Sequence, residues 1–162
     1  MSWSHLLPHI LDLTALAPVR LPANAMAMAR LSLFDWIVVS RAGASQPLAS
    51  IIRDFVGAEG GFPVATVTGS NLRLPPRAAA LANGTIAHAL DYDDTHFAYI
   101  GHPSVAIFPA ALAVAEEIGA GANAVLDAFL LGAEAAVRCC GQPAAGGDAG
   151  GERGGSLAPG PA

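Results

Sequence analysis

Hydrophobic positions recur at helical spacing through most of this chain. Over residues 4–17, Leu6, Leu7, Ile10, Leu11, Leu13 and Leu16 mark one face, with Pro8 placing the helix start near or after it. Pro18 and Pro22 bracket a short linker. A second helix is predicted over 23–40, with Met26, Ala29, Leu33, Phe34, Ile37 and Val38 on the apolar stripe, Ser32 and Asp35 on the other side, and Arg30 at the stripe's edge. Pro47 suits a first turn, and Leu48, Ile51, Ile52, Phe55 and Val56 carry a third helix to Gly57. Val64 to Thr68 is β-branched and is followed by Gly69-Ser70-Asn71, turn chemistry that allows at most one short strand or hairpin near 64–73.

Pro75 and Pro76 then open a helix expected to run to about Leu90, with Gly84 as a tolerated weak point. Two more apolar helices are predicted, over 104–118 and 122–138, separated by Gly119-Ala-Gly121. In the last, Asn123, Asp127, Glu134 and Arg138 form a thin polar edge, and Glu134 precedes Arg138 in the favourable i, i+4 order. The fold class is therefore all-α and bundle-like. From Cys139 to Ala162 patterning stops: the segment is Gly, Ala and Pro, with Leu157 as its only large apolar residue. Such a stretch cannot bury enough surface to offset its ordering entropy, so disorder is expected there. The division expected is a helical domain over 1–138 and a tail over 139–162. An out-of-frame reading of a GC-rich gene would give a tail of this composition, so a frameshift near Cys139 is part of the expectation.

Composition narrows the function classes. Of 162 residues 53% are hydrophobic and 13% charged, with a net charge of -5, eight Arg and no Lys. An acidic chain without a basic run is a poor partner for nucleic acid or an anionic membrane surface. The most apolar run, Val105 to Ala115, is too short to span a bilayer. The N-terminus, with His5, Pro8, His9 and Asp12, lacks a leader's positive start and apolar core. The only cysteines, Cys139 and Cys140, are adjacent and form no spaced disulfide framework, so a reducing, cytoplasmic setting is expected.

Candidate chemistry is concentrated in one place. Between His88 and His102 lie Asp91, Asp93, Asp94, Thr95 and His96, followed by Ser104. A polar interhelical loop with Asp caps is the plain alternative. A metal site is the second, since His88 and Asp91 sit at i, i+3 and Asp93, Asp94, His96 and His102 could complete a nitrogen and oxygen shell. The third is acid/base chemistry, in which a carboxylate orients an imidazole and raises its basicity. That arrangement needs no metal and no cofactor.

The run Leu81-Ala-Asn83-Gly84-Thr85-Ile-Ala-His88-Ala-Leu-Asp91-Tyr92-Asp93-Asp94-Thr95, then Gly101-His102-Pro103-Ser104 and an Ala-rich helix with Pro109, resembles the MmgE/PrpD family. Ala29-Arg30 with Leu33 and Asp35, and Ala65-Thr66-Val67-Thr68-Gly69, are similar to the family's early pattern. The resemblance implies the N-terminal part of an all-α domain from a two-domain lyase, homodimeric in its known members. Such enzymes, 2-methylcitrate dehydratase and cis-aconitate decarboxylase among them, eliminate water or carbon dioxide from small polycarboxylates. It assigns Asp91 and His102 as catalytic, and leaves His88, Asp93, Asp94, Thr95, His96 and Ser104 as substrate-binding or supporting residues. It also implies that lysines and a further histidine from later sequence complete the site. This chain has no lysine, and no Arg lies between Arg77 and Arg138, so a fragment inactive on its own is expected. A non-catalytic helical binding module and a metal-dependent hydrolase built on the His/Asp cluster are the alternatives.

Overall fold

The computed structural model describes Pro8, Leu11, Asp12, residues 22–97 and residues 101–140. The helix expected over 4–17 falls largely outside the described residues, although Pro8, Leu11 and Asp12 are helical. The elements that follow are α1 (Ala23–Gly43), α2 (Pro47–Gly57), β1 (Ala65–Thr66), β2 (Arg73–Leu74), α3 (Pro76–Ala87), α4 (Pro103–Ile118) and α5 (Ala122–Cys140). The fold is mostly α. The two strands pair antiparallel, Ala65 opposite Leu74 and Thr66 opposite Arg73. Among the described residues no helix is long and apolar enough to cross a membrane.

Pro47, Pro76 and Pro103 each sit in a first turn, where the missing N–H costs nothing and the fixed φ suits the helix. Gly119, at φ 70°, closes α4 in the left-handed conformation that glycine tolerates best. The change of character expected at 139 falls on the last two residues of α5 and on residues outside the described ones.

Two apolar clusters hold the helices. The first joins Ala49 and Val56 of α2, Val67 and Leu74 of the hairpin, and Ala78, Ala82 and Ile86 of α3. The second joins Ala29, Trp36 and Val39 of α1, Phe108 of α4, and Val125, Leu126 and Phe129 of α5. Phe108 and Phe129 stack with centroids 4.1 Å apart and planes 5° apart, and Trp36 tilts against Phe108 at 6.2 Å.

The inward face of α1 differs from the predicted stripe. Ala29, Trp36, Val39, Ser40 and Gly43 are buried, whereas Phe34, Ile37 and Val38 are 66%, 51% and 48% exposed. A helix apolar on nearly every side carries no strong period, so the pattern could not say which side faces inward. Gly43 helps to choose: a Cβ there would lie 1.9 Å from the Ile86 carbonyl, so glycine lets α1 meet α3 backbone to backbone.

The hairpin is fixed from both flanks. Asn83 of α3 accepts from the Thr68 N–H at 2.8 Å and donates to the Thr66 carbonyl at 2.9 Å, and Glu116 of α4 accepts from the Thr66 hydroxyl at 2.8 Å. Arg53 of α2 donates to the Thr68 carbonyl at 2.7 Å. On α4, Pro109 lacks the N–H that would bond the Val105 carbonyl, and that carbonyl lies against Gly84 of α3, where a Cβ would come within 2.8 Å. Gly84, a weak point by helix propensity, is thus what permits the α3/α4 crossing that carries the site.

Candidate active site

The site lies where α3 ends and α4 begins. α3 stops at Ala87, three residues short of the expected end, and His88 is its C-terminal cap residue. The chain then reverses: the Asp91 N–H donates to the His88 carbonyl at 3.1 Å, and Asp91 takes φ 54°, a left-handed conformation that aspartate adopts more readily than most residues. This reversal turns Asp93 inward, where its side chain is fully buried. At the other end His102 is the residue immediately before α4.

Asp94 secures that helix start. Its carboxylate accepts from the Ser104 N–H at 3.1 Å and from the Ser104 hydroxyl at 2.5 Å, so an otherwise unpaired first-turn donor is satisfied from the preceding loop. Ser104 is fully buried by this contact. Both residues are placed to hold the scaffold.

The reactive groups meet around Asp93. His88 Nδ1 lies 2.9 Å from one Asp93 oxygen and 3.2 Å from the other, and His102 Nδ1 lies 3.1 Å from the second. The His102 approach is close in distance but off-axis for a hydrogen bond, and that nitrogen is buried with no other hydrogen-bond partner among the described residues. The ring centroids are 5.0 Å apart. On their other edges, the Nε2 atoms of His88 and His102 lie 3.8 Å and 3.9 Å from the same Asp91 oxygen. Asp91, His88 and His102 are accessible, while Asp93 is sealed beneath them.

Of the residues singled out from the sequence, His88, Asp91, Asp93 and His102 come together, and Asp94 with Ser104 stands beside them. Thr95 and His96 are exposed, and the His96 N–H donates to the Gly101 carbonyl at 2.9 Å, closing the base of the intervening loop. Four ligand atoms, one each from His88, Asp91, Asp93 and His102, lie within 4.8 Å of one another. This donor set could hold a divalent transition metal. Beside His88 a trough of ≈ 540 Å³ opens between α3 and α4, with Leu48, Leu81, Gly84, Thr85 and Val105 on its walls.

Asp35 was not singled out as a site residue, yet it stands behind this loop. Burial pushes its carboxyl above the usual carboxylate range, the negative charges of Asp94 and Asp93 add to that, and a hydrogen bond from the Asp94 backbone pulls it partly back. One of its oxygens is buried and unpartnered among the described residues. The available signal was a lone acid, Asp35, on a helix that is otherwise mostly apolar.

The MmgE/PrpD N-terminal domain model matches residues 13–146. The chain belongs to the MmgE/PrpD family. Among curated relatives, a cis-aconitate decarboxylase-like protein of Aspergillus oryzae, oryM, is 35% identical over 107 residues, which is 64% of this chain and 21% of that protein. The chain thus spans about a fifth of the length of the curated relative it matches. The family match takes in α1 to α5 and the whole His88 to His102 loop.

Proposed function

We propose that this chain is the N-terminal helical portion of a lyase acting on small polycarboxylates such as cis-aconitate or 2-methylcitrate, with His102 as the acid/base group and Asp91 as the carboxylate that positions its ring or contacts substrate. The observation that carries the reading is the approach of His102 Nε2 and Asp91 Oδ1 to 3.9 Å on the accessible side of a sealed polar cluster. Elimination next to a carboxylate needs a base at the carbon-bound proton, and then the departure of water or carbon dioxide. A neutral imidazole with one ring nitrogen anchored in the protein and the other open to the site meets that need. The name of the Aspergillus oryzae relative supports the same substrate class.

A polycarboxylate also needs cations to offset its desolvation. None comes from this loop: Arg53 is engaged with backbone carbonyls, Arg77 with Glu59 and Arg138 with Glu134. In this reading the His88 to His102 loop supplies the proton-transfer part of a site, and cationic groups from outside the loop complete it. A homodimeric assembly and a cytoplasmic setting belong to the same proposal.

The test is binding and turnover of cis-aconitate and 2-methylcitrate. Where the site is completed by those cationic groups, His102→Gln is expected to lower turnover by about 10²- to 10⁴-fold, the usual worth of a positioned acid/base group. Failure of the unsubstituted chain to bind either acid would overturn the reading. Metal-dependent hydrolysis is the second reading, favoured by the four convergent ligand atoms; elemental analysis finding a stoichiometric divalent metal would install it.

A further inference from the structure

We propose that Asp93 is a positioning residue that holds both His88 and His102 as Nδ1–H tautomers, so that two unprotonated Nε2 atoms converge on Asp91 and the site carries two bases rather than one. The inference rests on the acid/base reading above and extends it to His88.

The argument starts from a buried charge. Asp93 has no exposed side-chain surface, and an ionised carboxylate, which only accepts, must be met by donors when it leaves water. Among the described residues no arginine is paired with it. The groups that approach its oxygens are the Nδ1 atoms of the two imidazoles, one on each oxygen, at 2.9 Å and 3.1 Å. Each Nδ1 facing an acceptor must carry the proton, and in a neutral ring this leaves Nε2 as a lone pair. His102 Nδ1 makes no hydrogen bond within the described residues, but it is buried 3.1 Å from an Asp93 oxygen, where a nitrogen lone pair facing a carboxylate would be repelled, so the proton is assigned there too.

The other edges of the rings give the consequence. Both Nε2 atoms stand 3.8 Å to 3.9 Å from one Asp91 oxygen, too far for hydrogen bonds, so neither is tied to it and both edges stay on the accessible side of the cluster. Elimination of water moves two protons: one leaves carbon, and one joins the departing hydroxyl. With one ring neutral and the other protonated, the neutral Nε2 takes the proton from carbon and the C–H electron pair becomes the new double bond. The C–O bond then breaks, and the protonated ring delivers its Nε2 proton to the leaving oxygen as water forms. The rings end with exchanged protonation states, so the step balances without a co-reactant. Asp91 faces whichever Nε2 carries the proton, and Asp93 keeps both rings in place.

The experiment is two-bond ¹H–¹⁵N correlation on the full chain with ¹⁵N-labelled histidine, at alkaline pH where the rings are neutral. Both His88 and His102 are expected as Nδ1–H tautomers. Asp93→Asn should switch one ring to Nε2–H, because an amide offers one acceptor and one donor in place of two acceptors, while His96, outside the cluster, stays unchanged. An Nε2–H tautomer at either ring of the unsubstituted chain overturns the proposal, and needs no variant to be folded. Ring signals that move when a chelator strips a metal overturn it too, since the metal would have occupied the Nε2 lone pairs. Nδ1–H tautomers in a chain that binds no polycarboxylate would uphold the two-base unit and count against the substrate reading alone.

Discussion

The corner between α3 and α4 and the outer faces of α1 and α2 are drawn from the same charge-poor, helix-rich sequence, but they end differently. At the corner Asp93 is approached by two imidazoles, Asp94 holds Ser104, and the Val105 carbonyl packs against Gly84, so the site is put together from contacts within the described residues. On the outer faces Met28, Leu31, Phe34 and Ile37 of α1, and Ile51 and Phe55 of α2, each leave half or more of their surface exposed. Apolar area of that extent marks a surface normally covered. The contrast separates two properties of one domain: the chemistry-bearing corner is assembled locally, whereas the outer faces are left without apolar cover among the described residues.

Substitutions can break this contrast at either end. The largest effect is expected from Gly84→Val, which drives a side chain into the Val105 carbonyl and separates α3 from α4; circular dichroism and a melt should show loss of the cooperative fold. Phe108→Ala removes a fully buried ring stacked on Phe129, at a cost of about 3–5 kcal/mol in denaturant unfolding. Asp94→Ala removes both acceptors at the start of α4 and should cost about 1–2 kcal/mol, with the His102 ring signals shifting because the residue before the helix loses its anchor.

Smaller effects sharpen the other side. Asp35→Asn should raise the melting temperature by a few degrees at neutral pH. The sign follows from the raised folded-state value: the ionised form is disfavoured in the fold, so stability is highest with Asp35 protonated and falls as pH rises through that value. The gain should therefore shrink as pH falls through that raised value and be gone by about 4, where the unfolded carboxyl is protonated too. Ile51→Asn, on the bare face of α2, should change stability by no more than about 0.5 kcal/mol while reducing self-association in sedimentation. A large stability loss there would show that this face is already packed.

The helices were legible from period and punctuation because prolines and glycines at their ends act locally. Pro47 and Pro76 opened the elements expected of them, the helix expected from 104 begins at Pro103, and the turn at 69–71 gave its hairpin. What sequence could not show depended on tertiary contact. The facing of α1 was set by Gly43 meeting Ile86, and α3 ended early because the chain reverses at Asp91 to bury Asp93. Spacing collected His88, Asp91, Asp93 and His102 into one candidate set, yet it could not say that Asp93 lies beneath both rings while Asp91 lies over them. Asp35 escaped notice because its partners are 58 and 59 residues away in the chain.

The central claim, that this corner is a polycarboxylate site assembled locally, is tested most directly by titrating the ¹⁵N-labelled full chain with cis-aconitate. Saturable shifts at His88, Asp91, Asp93 and His102, with the outer faces of α1 and α2 unmoved, are predicted. Shifts confined to those outer faces, or none at the corner, would contradict it.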